Sequence, residues 1–165
     1  MKPNINEMSF ISEVFTLYKM MKGSIDVNEI TPYPMKHIPF KGYKYMMWCA
    51  NIIYRENKPE YAEMDDESKN HETIHLYQAK DKGSWFKYYK SYAWQWMKHI
   101  FTKRNGAYYI NKYEVEAYAK EKDLTYLERR KPNNVELSKI DKKEFTKFSN
   151  TYQFKEYIRE KYKYI

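Results

Sequence analysis

Apolar positions along the chain change period several times, and each change marks an element. Between residues 7 and 22, Phe10, Ile11, Val14, Phe15, Tyr18 and Met21 recur at i, i+3/i+4 and i+7. That spacing predicts an amphipathic helix whose apolar stripe packs on a core, and Gly23 suits the left-handed position after its last turn. Residues 24–41 lose the period and carry Pro32, Pro34 and Pro39, so they read as extended and turn structure. His37, lying among these prolines, is taken as a structural or exposed residue. From Tyr43 to Arg55 the chain is aromatic and β-branched, bounded by Gly42 and by Asn57-Lys58-Pro59. It predicts one long bent strand or two short ones with a hairpin near Asn51. A free edge there offers strand addition to an extended peptide, and a plain supporting sheet is the simpler alternative.

Helical spacing returns at Asp65-Asp66, both good N-caps, and predicts a helix over 66–81 that ends at Asp81-Lys82-Gly83. Ser84 caps the next helix, over 84–101, where Trp85, Tyr88, Tyr89, Tyr92, Ala93, Trp96, Met97 and Ile100 form an apolar stripe expected in the core. Aromatic, lysine-rich helices of this kind also lie in bilayer interfaces. A further helix begins at Asn111, and Asn111 with Glu114 has the spacing of a capping box. Arg129 to Asn134 reads as a basic surface turn. Asp141 with Glu144 caps a short helix that buries Phe145 and Phe148. Asn150 or Thr151 starts the last helix, with Phe154, Tyr157, Ile158 and Tyr162 on one side.

The sum is an α+β fold, mainly helical, with a small β-sheet or hairpin beside the helix of residues 66–81. At 165 residues one domain over 1–165 is the simplest organisation. It has a core at about 37–122 and a C-terminal helical clasp at about 140–165, which has a lid or a partner-docking element as its alternatives. Aromatic residues reach 19%, so Tyr, Phe and Trp must fill much of the core, with Tyr hydroxyls finding partners at its edge. Cys49 is the single cysteine, which excludes a disulfide framework and a cysteine-cluster metal site. The net charge of +8 comes from lysines spread along the chain. No nucleic-acid signature accompanies it, and a solvated basic surface is the expected meaning. The N-terminus lacks a secretory apolar run and no stretch is long enough to span a membrane. A cytoplasmic location is the default expectation.

Chemistry concentrates in His71-Glu72-Thr73-Ile74-His75, which reads H-E-x-x-H. On a helix, residues i and i+4 share a face, so the two imidazoles can share one zinc ion while Glu72 takes a proton from the attacking water. With four His and sixteen Glu in the chain, composition yields only about 0.01 chance matches to that pattern. Two histidines need a third protein ligand. Glu116, one turn into the helix after Asn111 and followed by the small Ala117, is the preferred one. Glu114, with a capping role of its own, is the alternative, and His99 is a spare candidate.

His71-Glu72-x-x-His75 followed by Glu114-x-Glu116-Ala117 resembles the gluzincin zinc metallopeptidases, in particular small minimal zincin-like domains, over roughly residues 37–122. The resemblance implies zinc held by His71, His75 and Glu116, Glu72 as general base, and a peptide or protein substrate. The chain departs from larger members in lacking a clear second lobe. It also has no unambiguous oxyanion-stabilising residue, although Tyr108, Tyr109, Tyr118 and His99 are all conceivable. The expected function is zinc-dependent peptide hydrolysis. A non-catalytic zinc-stabilised interaction protein is the first alternative, and a basic nucleic-acid-binding domain the second.

Overall fold

A computed structural model of the chain describes residues 9–41, 43–133, 140 and 142–164. The fold is α+β and mainly helical, with one three-stranded sheet. The chain divides into two compact units, one ending at Asp65 and the other beginning at Asp66. The predicted Gly42 boundary, the Asp141 cap and the Asn134 end of the basic turn lie outside the described residues.

The first unit holds helix α1 (Phe10–Met21) and strands β1 (Thr31–Met35), β2 (Tyr45–Trp48) and β3 (Asn51–Arg55), in the order β1-β3-β2. β2 and β3 are the predicted hairpin: Trp48 faces Asn51, and Cys49 and Ala50 turn the chain at φ of 50° and 61°. Left-handed backbone at both positions is the form that matches the twist of the flanking strands. Here Asn51 supports it by donating its side-chain amide to the carbonyls of Trp48 and Cys49. β1 pairs with β3 in parallel. Its prolines are tolerated for a simple reason. Thr31 N–H donates to Ala50 O, and Met35 O accepts from Glu56 N–H, so odd-numbered residues face β3. The nitrogens of Pro32 and Pro34 fall on the outer edge, where the sheet needs no donor.

α1 corrects the sequence reading. The predicted core stripe of Ile11, Val14, Phe15 and Tyr18 is exposed, while Leu17 and Met20 pack against Met35, Ile38 and Ile53. Glu13 lies on that inner face and is fully buried, because its carboxylate accepts the N–H groups of Lys36 and His37. Two orphan amides therefore decide which way the helix faces.

The second unit is helical: α2 (Asp66–Lys82), α3 (Trp85–Met97), α4 (Gly106–Tyr109), α5 (Lys112–Lys120), α6 (Tyr126–Arg129), α7 (Lys142–Thr146) and α8 (Thr151–Lys161). Ser84 caps α3 by accepting from Lys87 N–H, Asn111 caps α5 through Tyr113 N–H, and Asn150 caps α8 through Gln153 N–H. α3 ends at Met97, earlier than its periodicity predicts. Of its predicted core stripe Trp85 and Tyr88 are buried, while Trp96, Met97 and Ile100 are exposed. The C-terminal segments pack on α5, with Phe145, Phe154, Ile158 and Tyr162 meeting Ile110, Val115 and Tyr118. Buried Lys120 fastens this arrangement by donating to the carbonyls of Tyr162 and Lys163 at the end of α8, where a cation offsets the helix dipole. No helix among the described residues is long and apolar enough to cross a membrane.

Gly106 shows how tightly this core closes. A Cβ there would collide with the Thr102 side chain (Cβ at 2.7 Å) and meet Phe145 Cε1 at 2.9 Å. Gly106→Ala is therefore expected to cost about 1–3 kcal/mol by overpacking, read as a lower urea midpoint with unchanged slope.

Candidate metal centre

α2 and α5 face each other through two stripes of matching helical period. His71, His75 and Gln78 stand at i, i+4 and i+7 on α2. Glu114, Tyr118 and Glu121 stand at the same intervals on α5 and its C-terminal cap. The pairing is antiparallel: His71 meets Glu121, while Gln78 reaches Tyr113 O. Asn70 locks the register by donating its amide to the carbonyls of Lys120, Glu121 and Asp123.

At the centre, the Nε2 atoms of His71 and His75 lie 3.2 Å apart. Glu114 closes a triangle, with Oε2 at 3.5 Å from His71 Nε2 and Oε1 at 3.4 Å from His75 Nε2. Three ligands about 2.0–2.1 Å from a tetrahedral zinc ion stand roughly 3.3 Å from one another. The three groups are all buried and form the one such His/Glu cluster found among the described residues.

Hydrogen bonding fixes which ring nitrogens are free to bind. His71 Nδ1–H donates to Glu121 Oε2 at 2.8 Å, and Arg159 holds the other oxygen of Glu121. His75 Nδ1–H donates to Gln78 Oε1 at 2.8 Å, with Tyr88 OH at 3.3 Å. The Gln78 amide has one orientation, since its nitrogen donates to Tyr113 O and Glu116 Oε2. Both rings therefore present a lone pair at Nε2, as a metal-ligating histidine with an oriented outer nitrogen does. Tyr92 OH donates to Glu114 Oε1 at 2.7 Å, which leaves the buried Oε2 with no hydrogen-bond partner. Two converging lone pairs and an orphaned carboxylate oxygen repel one another unless a proton or a cation lies among them. This donor set fits zinc.

Titration of the metal-free cluster follows the same logic. Burial alone would lower the His71 pKa, but the carboxylates of Glu114 and Glu121 at its two nitrogens push it up to about 10. For His75 burial again lowers, and Glu114 reverses the shift upward. Burial would raise Glu114, but His75 and His71 hold it well below the usual carboxylate range. A group raised in the folded state stabilises fully below its ordinary value of 6.5. That contribution is lost as pH rises through the folded value. Glu114 contributes above its ordinary 4.5 and loses its contribution on acidification. The chelated protein is thus expected to lose stability between about pH 6.5 and 10 from His71, measured as urea midpoints across that range. Zinc uptake should release protons, and affinity should climb with pH over the same window.

The geometry brings Glu114, and not the preferred Glu116, to the two histidines. Glu116 receives Arg130 Nε at 2.6 Å, Tyr126 OH at 3.0 Å and the Gln78 amide at 3.0 Å. The capping role assigned to Glu114 fails because Asn111 N–H is already bonded to Tyr108 O. No donor is left for a reciprocal box. His37 belongs to the other unit, and His99, beyond the end of α3, is not in the cluster. Gln78, Glu121, Tyr88, Tyr92 and Arg159 were missed. The i, i+4, i+7 repeat of Glu114-Tyr118-Glu121 opposite His71-His75-Gln78 is the signal that points to two of them, Gln78 and Glu121.

Comparison with protein-family models, curated proteins and solved structures finds no match. The site therefore stands on its own geometry.

Glu72 is buried beside the cluster without belonging to it, and its carboxylate makes no hydrogen bond among the described residues. Burial raises its pKa, a shift that His71 and His75 oppose. Tyr118 packs on His71 with ring centroids 4.7 Å apart, and its hydroxyl donates to Tyr108 OH at 3.4 Å.

Proposed function

We propose that this chain is a zinc-dependent peptide-bond hydrolase of gluzincin-like type, with His71, His75 and Glu114 as metal ligands and Glu72 as general base. The observation that carries the reading is the triangle of two Nε2 atoms and one carboxylate, with edges of 3.2–3.5 Å and both Nδ1 atoms already committed to acceptors. Zinc held there would supply Lewis acidity to a scissile carbonyl and to the attacking water. Glu72 accepts the proton of that water at its carboxylate and returns it to the departing amide nitrogen. Its raised pKa brings it nearer the working range of such a base. Glu121 and Gln78 hold the imidazoles in the binding tautomer, and Tyr92 aims the Glu114 carboxylate. The tests are release of fragments from an unstructured protein such as casein, and metal content, for the wild type and Glu72→Gln. Glu72→Gln is expected to keep its zinc and lose hydrolysis by about 10²–10⁴-fold. Hydrolysis surviving in that variant would remove Glu72 from its role.

One observation favours a second reading, a zinc-stabilised interaction protein. His71, His75 and Glu114 are 7%, 5% and 2% exposed, and structural zinc sites are closed where catalytic ones keep an open position. Stoichiometric zinc with no hydrolysis by the wild type, and a melting temperature that falls on chelation, would select this second reading.

A further inference from the structure

Helix α3 has a second face that the metal centre does not use. Its inner side carries Tyr88 and Tyr92 to the site. Its outer side presents Phe86, Trp94 and Met97, spaced at i, i+8 and i+11 on one helical stripe, and the following turn adds Ile100 and Phe101. All five are exposed, Trp94 by 56% and Phe101 by 91%. Large apolar side chains gathered on one surface mark an interaction site.

Charge identifies the occupant. Between Asp81 and Glu114 the chain carries Lys82, Lys87, Lys90, Lys98, Lys103, Arg104 and Lys112 and not one acidic residue. Lys87, Lys90, Lys98 and Lys103 are exposed around the apolar stripe, and Lys98 Nζ lies 5.7 Å from the Trp94 ring centroid. Tryptophan and phenylalanine at the acyl boundary, with lysines at headgroup level, is the chemistry of a helix lying in a membrane interface. A single-stranded nucleic acid would also use lysine and aromatic faces. Met97 and Ile100, however, have no π-face for a base, whereas an acyl layer accommodates the entire stripe.

We infer that the outer face of α3 and the turn at Ile100-Phe101 dock this protein onto an anionic lipid surface, with the metal centre held on the opposite side of the same helix. The docking does not rest on hydrolysis, and it would stand equally for a structural zinc site.

The test is co-sedimentation of the full chain with phosphatidylcholine vesicles, with and without about a third phosphatidylserine. Binding is expected to the anionic vesicles, weakening as salt rises from about 0.1 to 0.5 M, with a blue shift of tryptophan emission. Trp94→Ser with Phe101→Ser should reduce it about tenfold or more, while zinc content and melting temperature stay at wild-type values because both side chains are exposed. Phe15→Ser, on the exposed face of α1, should leave binding unchanged and so controls for general stickiness. Three outcomes overturn the proposal: no binding to anionic vesicles, equal binding by the Trp94/Phe101 variant, or loss through Phe15→Ser instead. Oligonucleotide binding that is abolished by the same pair, without vesicle binding, would assign the face to nucleic acid.

Discussion

Purified protein is expected to hold about one zinc ion per chain by elemental mass spectrometry, and His75→Ala and Glu114→Ala are each expected to lose it. Glu114→Ala is the more informative. Its Oε2 is buried without a hydrogen bond, 3.5 Å from His71 Nε2, so removing the carboxylate costs the site a ligand and, in the metal-free protein, the anion that faces both imidazoles. Tyr92 loses an acceptor, which zinc-independent unfolding would register. Glu121→Gln provides a graded comparison. It keeps a hydrogen-bond acceptor at His71 Nδ1 but removes the charge that faces Arg159, and an outer-shell change of this kind weakens metal binding about 10–100-fold. The order expected is Glu114→Ala below Glu121→Gln, and both below wild type. Zinc retained by Glu114→Ala would dissolve the three-ligand site, since two imidazoles alone would then be holding the ion.

Glu116→Ala should do something different: it should destabilise the metal-free protein by about 3 kcal/mol. The Arg130 side chain is 3% exposed and bonds both Glu116 and Asp81. Removing Glu116 leaves a buried guanidinium half-compensated, and takes an acceptor from the Tyr126 hydroxyl and from one Gln78 N–H. Breaking a buried pair by deleting one member is costly because the other charge stays where it is. The residual Asp81 contact keeps the loss at the lower end. Urea unfolding of chelated protein measures this, and adding Arg130→Met should recover part of the loss by removing the stranded charge. Any effect of Glu116→Ala on zinc should come through Gln78 and His75, and should be smaller than that of Glu114→Ala. A fully stable Glu116→Ala that binds no zinc would return Glu116 to the ligand set.

Local patterns carried far in this chain. The helix of residues 66–81, the caps at Ser84, Asn111 and Asn150, and the hairpin near Asn51 are all present in the structure. Each is set by neighbours in sequence: a side-chain oxygen two or three residues from an orphan N–H, or an i, i+4 repeat. The adjacency of His71 and His75 belongs to the same class. Periodicity misjudged burial at two helices. In α1 the apolar stripe lies outward because Glu13 is drawn in by the amides of Lys36 and His37. In α3 the aromatic repeat runs on past the end of the packed region.

The choice between Glu114 and Glu116 could not be made locally. Both lie on one helix, and the spacing of Asn111 and Glu114 pointed to a cap that Tyr108 O had already taken from the chain. What assigns them is the antiparallel register of α5 against α2, together with Arg130 arriving from beyond α6 to take Glu116. The sequence by itself determined the helices, their caps and the paired imidazoles, because those depend on separations of two to four residues. Only the tertiary structure decided which carboxylate completes the cluster and which faces stay exposed, because partners some 14 to 50 residues away compete for the same atoms.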